Sequence, residues 1–420
     1  MLNRVRSANP SQIYGTLWSN GQVWLVNQAG IQIGPGGMVD TAGFVASTLN
    51  VNAADFLAGR LNFLATPGAG DVVNQGTITT PSGGFVYLVG SNVSNEGIIH
   101  TPQGETLLAA GKTVNLVDTA TPGVKVEITG AEGNATNLGT ITAEAGRIGI
   151  AGVLVKNSGT LNASSVVSEG GRVFLKATGD TYVEGSGRIE ATGTKGGRVE
   201  VLGDRVAVTD NALIDASGAN GGGTILVGGD YQGKNADIQN ARFTYFGPNA
   251  TLKADATDNG NGGKVILWAD DTTRAYGTIS ARGGDNGGNG GFVETSGHNY
   301  LDVAGVRVDT RGPNGVGSWL LDPTDISITA GAAGGAPFTG SLFDNGGGMS
   351  STLTDGDINS PLVTTTVTLR TTSSGGGKGD ILVKNGVAID NNLGIARTLS
   401  LEADRNITFG DTAGGFKLNF

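Results

Sequence analysis

The chain has 420 residues, with 74 glycines, no cysteine, 6% aromatic and 15% charged residues, and a formal net charge of −10. That charge excludes nucleic acid or an anionic membrane as the main partner, because phosphate binding needs a concentrated cationic face. The lack of cysteine excludes a disulfide framework and points to export, since a chain that crosses an envelope unfolded then has no bridge to close early.

Glycine far exceeds its usual share of about 7% and shows no period of three, so it serves turns or close packing. No apolar run reaches the roughly 18 residues of a spanning helix. Leu2, Asn3 and Arg4 open no hydrophobic stretch, so no signal peptide is read from this sequence.

In chain order, the first well-shaped segment is NGQVWLVNQAGIQIGPGG, residues 20–37. It reads as a strand, a tight turn at Asn27–Gly30, and a second strand closing at Gly34-Pro35-Gly36-Gly37. It carries no nucleophile, histidine or cysteine, so it offers shape rather than reactivity.

A repeat follows. Small-residue pairs end at Gly84, Gly146, Gly171, Gly197, Gly223, Gly263 and Gly291. Two positions later stand Val86, Ile148, Val173, Val199, Ile225, Val265 and Val293. This apolar alternation at period two predicts strands with one buried face. The first interval, from Gly84 to Gly146, leaves room for three turns, with Gly104 and Gly123 as weaker markers.

A second motif recurs at Asn74-Gln75-Gly76, Asn95-Glu96-Gly97, Asn137-Leu138-Gly139 and Asn157-Ser158-Gly159. Each unit of roughly 20–26 residues is expected to hold two strands and two turns, with glycine supplying positive φ at the corners and asparagine stacking in ladders. Such a unit cannot bury its apolar face alone, whereas stacked coils can. The expected fold is therefore all-β, a parallel β-helix. A propeller or sandwich fits less well, because propeller blades are longer and two-residue hairpin turns do not recur.

Candidate chemistry is sparse. His100 and His298 lie far apart in sequence, and a metal or acid–base site needs converging ligands. The stretch RGGDNGGNGGFVE, residues 282–294, departs from the calcium nonapeptide repeat and reads as a corner loop. Arg147, Arg172 and Arg198 are expected to form an outward row interleaved with Glu144, Glu169 or Glu200. No catalytic residue, metal ligand or cofactor is assigned.

The interval from Gly223 to Gly263 is longer than its neighbours and holds Tyr231, Phe243, Tyr245 and Phe246 in a chain poor in aromatics. These four residues are the candidate partner-binding loop. The alternative is an extra coil whose aromatics pack inward. Further on, GSWLLDPTDISIT, residues 317–329, suggests a junction, after which residues 330–362 turn Gly/Ser-rich and weakly ordered.

Residues 2–51, from LNRVRSANPSQIYGTLWSNGQVWLVN to GPGGMVDTAGFVASTLNV, resemble the secretion domain of two-partner secretion exoproteins of the filamentous haemagglutinin-like, or haemagglutination-activity, family. The stretches at 228–247, 317–329 and 364–383 resemble later portions of such proteins. Asn27-Gln28-Ala29-Gly30 departs from the family's Asn-Pro-Asn-Gly by lacking the proline. The family domain also begins with a signal peptide and further strands, so Met1 is expected to be an internal start and Phe420 to fall within a continuing repeat.

The resemblance implies a right-handed parallel β-helix, export by an outer-membrane β-barrel transporter and a secreted or cell-surface location in a Gram-negative bacterium. It makes residues 20–37 a recognition surface, with Asn27, Gly30, Gly34 and Pro35 as candidates. The expected domains are 1–70, a truncated secretion domain; 71–322, the β-helix repeats; and 323–420, a second repeat region cut short. The leading function is an adhesin-like, non-enzymatic exoprotein whose partners are the transporter and a host or bacterial surface receptor or glycan. The alternative is a carbohydrate-active β-helix enzyme, which an acidic cluster lining a groove would favour.

Overall fold

The Asn-x-Gly motif forms a corner, and the corner sets the coil. In the computed structural model the strand Val93–Asn95 ends at the motif asparagine, Glu96 and Gly97 turn, and Ile98–His100 follows. After a second turn at 101–104 the longer strand Glu105–Ala110 completes the circuit. A coil thus has three strands, where the sequence led us to expect two. Three-residue strands are too short to show the alternation that reveals a strand in sequence.

The structure describes residues 1–58, 60–118, 124–334, 338, 340–344, 348, 350–373, 377–390, 397–410 and 417–418. They form two compact units, Met1–Ala191 and Thr192–Phe420.

In the first unit the long strands Met38–Ser47, Phe85–Gly90, Glu105–Ala110, Arg147–Gly152 and Arg172–Ala177 pair in parallel. The register places Phe44, Val86, Thr106, Ile148 and Val173 in one column. In the second unit the corresponding column runs Val199, Ile225, Val265, Val293, Trp319, Val367 and Leu399. The fold is a parallel β-helix. All seven β-branched positions marked in the sequence, from Val86 to Val293, are fully buried.

Two kinds of column hold the coils in register. The motif asparagines form a buried ladder: Asn74 Nδ2 donates to Asn95 Oδ1 at 2.7 Å, Asn95 to Asn137 at 2.8 Å, and Asn137 to Asn157 at 2.8 Å. Asn95 and Asn137 each donate to one neighbour and accept from the other, while Asn74 accepts from Gly76 N and Asn157 donates to Gly159 O, so the polar groups inside the helix remain satisfied. Beside the asparagines, Gly76, Gly97, Gly139 and Gly159 stack so closely that a Cβ on one would overlap the carbonyl oxygen of the glycine before it. None of these four has a positive φ. They are required by backbone approach, not by the left-handed corners expected from sequence. Gly84, Gly104, Gly146 and Gly171 repeat the arrangement at the next corner.

The interval from Gly84 to Gly146 differs from the three turns expected. Gly104 heads a coil, but Gly123 lies outside the described residues. Two strands of the interval, Thr113–Asp118 and Val124–Thr129, instead join the earlier Asn50–Val51 and Leu61–Leu64 in an antiparallel sheet outside the helix. The short helix Ala53–Leu57, capped by the Asn52 side chain, joins two of these strands. Phe63, Val114 and Leu116 of this sheet share a core with the outward-facing Trp24, Val45, Tyr87 and Leu107 of the coils. The sheet therefore covers an outer face that would otherwise be apolar and wet.

Residues 317–362 also depart from expectation. The strand Ser318–Leu321 continues the ladder rather than interrupting it, and Trp319, fully buried, donates its indole N–H to Thr295 Oγ at 2.9 Å. Within the segment expected to be weakly ordered, Ser350–Thr354 pairs with Asp325–Thr329 and leads into the helix Asp355–Leu362. A capping box between Thr354 and Asp357 starts that helix. Gly and Ser content misled the reading because the box residues are themselves typical of loops.

The inward column yields a direct test. Val199→Asp would bury an unpaired carboxylate and is expected to cost about 3 kcal/mol or more. Urea denaturation monitored by circular dichroism checks it, and an unchanged midpoint would contradict the inward placement of Val199.

Candidate functional site

The stretch singled out near the start folds as two strands around two tight turns. Thr16–Val26 leads into the first turn, Ile31–Ile33 joins it to the second, and Met38–Ser47 follows. Asn27 holds the first turn. Its side-chain Oδ1 accepts from Ala29 N at 3.0 Å, and its Nδ2 donates to Asn9 O at 3.0 Å and Ser11 Oγ at 2.9 Å. Asn27 is 1% exposed, so its role in this unit is to shape the turn from within. Gly30 adopts a φ of 129°, which admits no ordinary side chain. Together they close the turn without the proline that the family motif would place there.

The second turn, Gly34-Pro35-Gly36-Gly37, closes with Gly37 N donating to Gly34 O at 2.9 Å. Pro35 pre-sets the first central position and Gly36, at φ 77°, supplies the second, as a type II turn requires. Pro35 and Gly36 are exposed. Gly34 is not interchangeable with alanine, because a Cβ there would overlap the ring of Tyr14. Asn9, Ser11 and Tyr14 therefore belong to the same small assembly. The sequence signal that could have marked them is their place in the stretch directly before the strand, Asn9-Pro10-Ser11-Gln12-Ile13-Tyr14.

The four aromatics of the long interval do not form one exposed loop, which corrects the expectation. Phe243, Tyr245 and Phe246 lie on the strand Phe243–Phe246, paired with Arg205–Val208 on one side and Thr272–Ala275 on the other. All three are buried. Tyr245 stacks edge-on against Tyr276 at 5.9 Å, and Tyr276 donates its hydroxyl to Asp302 Oδ2 at 2.7 Å. Burial, with the Asp302 charge beside it, pushes the Tyr276 hydroxyl well above its ordinary value. Only Tyr231 is exposed, at 40%, and it lies apart from the other three in a short 3₁₀ turn, edge-on to Phe292. Alternation along the strand turns Phe246 into the coil, whereas Phe243 and Tyr245 take the opposite face, in line with Arg205, Thr272 and Arg274, and are covered there.

The remaining candidates have local roles. His100 Nε2 sits 3.0 Å from Glu144 Oε1, and His298 lies 6.3 Å from the Trp268 ring. Among the described residues, no group of three or more His, Cys, Asp or Glu side chains converges as a metal site. Arg147 and Arg172 do stand in register, but Arg147 pairs with Glu105 at 3.4 Å, and Glu144 takes His100 instead. In the second unit Arg198 pairs with Glu200 two residues along its own strand. The corner at 282–294 stacks on the coil before it, with Asn286 Nδ2 donating to Asp258 Oδ1 at 2.6 Å.

These features describe a shaped, non-reactive surface on a β-helix, and comparison with known proteins places it. Residues 1–191 match the TPS secretion domain. The crystal structure of the HMW1 secretion domain from Haemophilus influenzae is similar at 36% sequence identity and a TM-score of 0.68, covering 76% of this chain and 85% of that one. This chain belongs to the two-partner secretion family. No curated protein sequence gave a match.

As a two-partner secretion exoprotein, the chain is carried across the outer membrane by a dedicated transporter. Its relatives are secreted or surface proteins of Gram-negative bacteria and are typically non-enzymatic. The matched region contains both turns and the antiparallel sheet.

Asn27→Ala leaves Asn9 O, Ser11 Oγ and Ala29 N without their partner inside the coil. It is expected to destabilise the exoprotein by about 1–3 kcal/mol. Thermal unfolding, with proteolysis around residues 9–30 as a local readout, checks this; a wild-type profile in both would contradict the bracing role.

Proposed function

We propose that this exoprotein is an adhesin-like surface protein whose transporter is recognised through the paired turns at residues 27–37. The observation that carries the recognition reading is the exposure of Pro35 and Gly36 on a turn closed by the Gly37 N–H to Gly34 O bond, joined through Ile31–Ile33 to the turn that Asn27 and Gly30 shape. A rigid, outward turn loses little entropy on docking, which is what a recognition element needs. Asn27, Gly30 and Gly34 act as shaping residues and Pro35 as a contacting one.

The adhesive reading rests on stacked coils that offer broad exposed faces and carry little reactive chemistry. An enzyme of this fold would need carboxylates open to a groove. An open groove of about 670 Å³ in the second unit is lined by residues including Gly222, Thr224, Asn261, Lys264 and Phe292, with no carboxylate among its lining. The buried Glu294 and Asp322 carboxylates are instead engaged by Gln232. The partners proposed are the transporter and a host or bacterial surface receptor or glycan. Binding of the labelled protein to cells and to immobilised glycans tests adhesion, and turnover of a polysaccharide by the purified protein would favour the enzyme reading.

Pro35→Ala separates recognition from stability. It is expected to weaken binding to the transporter's periplasmic domains by at least about fivefold, the roughly 1 kcal/mol that marks an interface residue, while leaving the melting temperature nearly unchanged. Calorimetric titration of the purified protein checks it, and undiminished affinity would remove Pro35 from the recognition surface.

A further inference from the structure

Residues 229–240 leave the strand Thr224–Val227 and return to the helix at Ala241, lying outside the sheet in between. Their fastenings reach forward along the chain. Asp230 Oδ1 meets Lys264 Nζ at 2.6 Å. Gln232 N donates to both oxygens of Glu294 at 3.2 Å, and its side-chain Nε2 donates to Asp322 Oδ2 at 2.7 Å. Asn240 Nδ2 donates to Asp270 Oδ1 at 3.0 Å. Beneath the segment, Ile238 packs on Leu226, Ile266 and Trp268, the outward residues of two coils. Gln232 adopts a φ of 52°, a conformation that a non-glycine residue seldom holds unless its surroundings fix it.

Glu294 is the unusual member of this set. It is fully buried, and it makes no ion pair among the described residues. The groups facing it are Gln232 N–H from the segment, the Ser296 hydroxyl on its own strand, the Lys264 ammonium on the preceding coil and the Asp322 carboxylate on the following one. The ammonium is already engaged by Asp230, and Asp322 carries the same sign as Glu294. An ionised carboxylate in this place is poorly compensated, whereas a neutral one is not.

We propose that residues 229–240 form a proton-controlled clasp, closed over Glu294 while its carboxyl is neutral and released when it ionises.

Burial pushes the Glu294 carboxyl up to about 7, with Asp322 adding to the rise and Ser296, Gln232 and Lys264 opposing it. In the released state the carboxyl reaches water and returns to its ordinary 4.5. Because the closed-state value is the higher one, protons favour closure. The stabilisation is fully present below about 4.5 and is lost as pH rises through about 7. The gap corresponds to roughly a 300-fold change in the closing equilibrium. Asp230 does not respond in this window. Although burial works against it, Asp230 is held at about 2 by its bonds from Lys264, Asn235 and the Tyr231 N–H. The Arg370 guanidinium meets Tyr231 and Asp322 from a later strand, and the His298 imidazole lies near Trp268, so the test must distinguish Glu294 from His298.

Hydrogen exchange on the whole chain, corrected for intrinsic rates, provides that test. Between pH of about 5.5 and 8.5 the protection of the Gln232 amide should fall roughly 30-fold, while the amides of Ile225 and Val265 hold steady. Glu294→Gln should keep the clasp closed and abolish the pH dependence. Asp322→Asn, which removes the neighbouring charge but leaves one oxygen to accept from either Gln232 Nε2 or Thr372 Oγ1, should lower protection at every pH and also move the midpoint of its loss to lower pH; it serves if the first variant does not fold. Protection of Gln232 that is independent of pH in the wild type overturns the proposal. So does a pH dependence unchanged in Glu294→Gln, which would point to His298, or a midpoint unmoved by Asp322→Asn.

Discussion

Successive coils stack backbone on backbone at the spacing of paired strands, about 4.8 Å, and the rest of the structure is fitted to that approach. At the corners the chain turns towards its neighbour more closely than a side chain permits. Gly97, Gly139 and Gly159 therefore succeed one another without a Cβ among them. The same approach makes the asparagine ladder possible, because an amide one coil away lies within 2.7–2.8 Å of the next. Inside the coils the constraint becomes a demand for aliphatic residues of matched size, met by the buried column from Val199 through Val293.

A stack of this kind leaves its outer faces to be settled separately. Where outward residues are polar, water suffices. Where they are large and apolar, each unit supplies its own cover. In the first, the antiparallel sheet seats Phe63 and Val114 over Trp24, Tyr87 and Leu107. In the second, residues 229–240 bring Ile238 over Leu226, Ile266 and Trp268. These covers are where the regular repeat breaks, and they bring together residues far apart in sequence, such as Gln232 and Asp322. The turn proposed for recognition arises at a break of the same sort. The turn at Pro35 is exposed because it projects from a coil whose interior is fixed by Asn27 and Gly34.

Membership of the two-partner secretion family gives this architecture a physical rationale. A chain that passes a transporter unfolded and folds beyond it benefits from local assembly, in which each coil needs only its predecessor as a template. The covers add longer-range closure, completed when later coils are in place.

The sequence alone determined the period, the strand alternation, the asparagine ladder and the shape of residues 20–37, since each depends on residues within one coil or at one matched position in the next. It therefore indicated a parallel β-helix and the secretion family. The three strands of a coil were hidden because strands such as Ile98–His100 are too short to display a period. Tertiary structure alone decided which irregular segments were loops and which were covers. Phe243, Tyr245 and Phe246 looked available for binding, yet the ladder with Arg205–Val208 and Thr272–Ala275 turns Phe246 inward, and the other two are buried on the opposite face, Tyr245 against Tyr276. Glu294 ends the stretch 282–294, which reads in sequence as a corner loop. Only a segment arriving from Gln232, 62 residues earlier, removes it from water. Local pattern fixes what stacks, because stacking repeats, whereas burial of an outer face depends on a single distant segment and leaves no period to read.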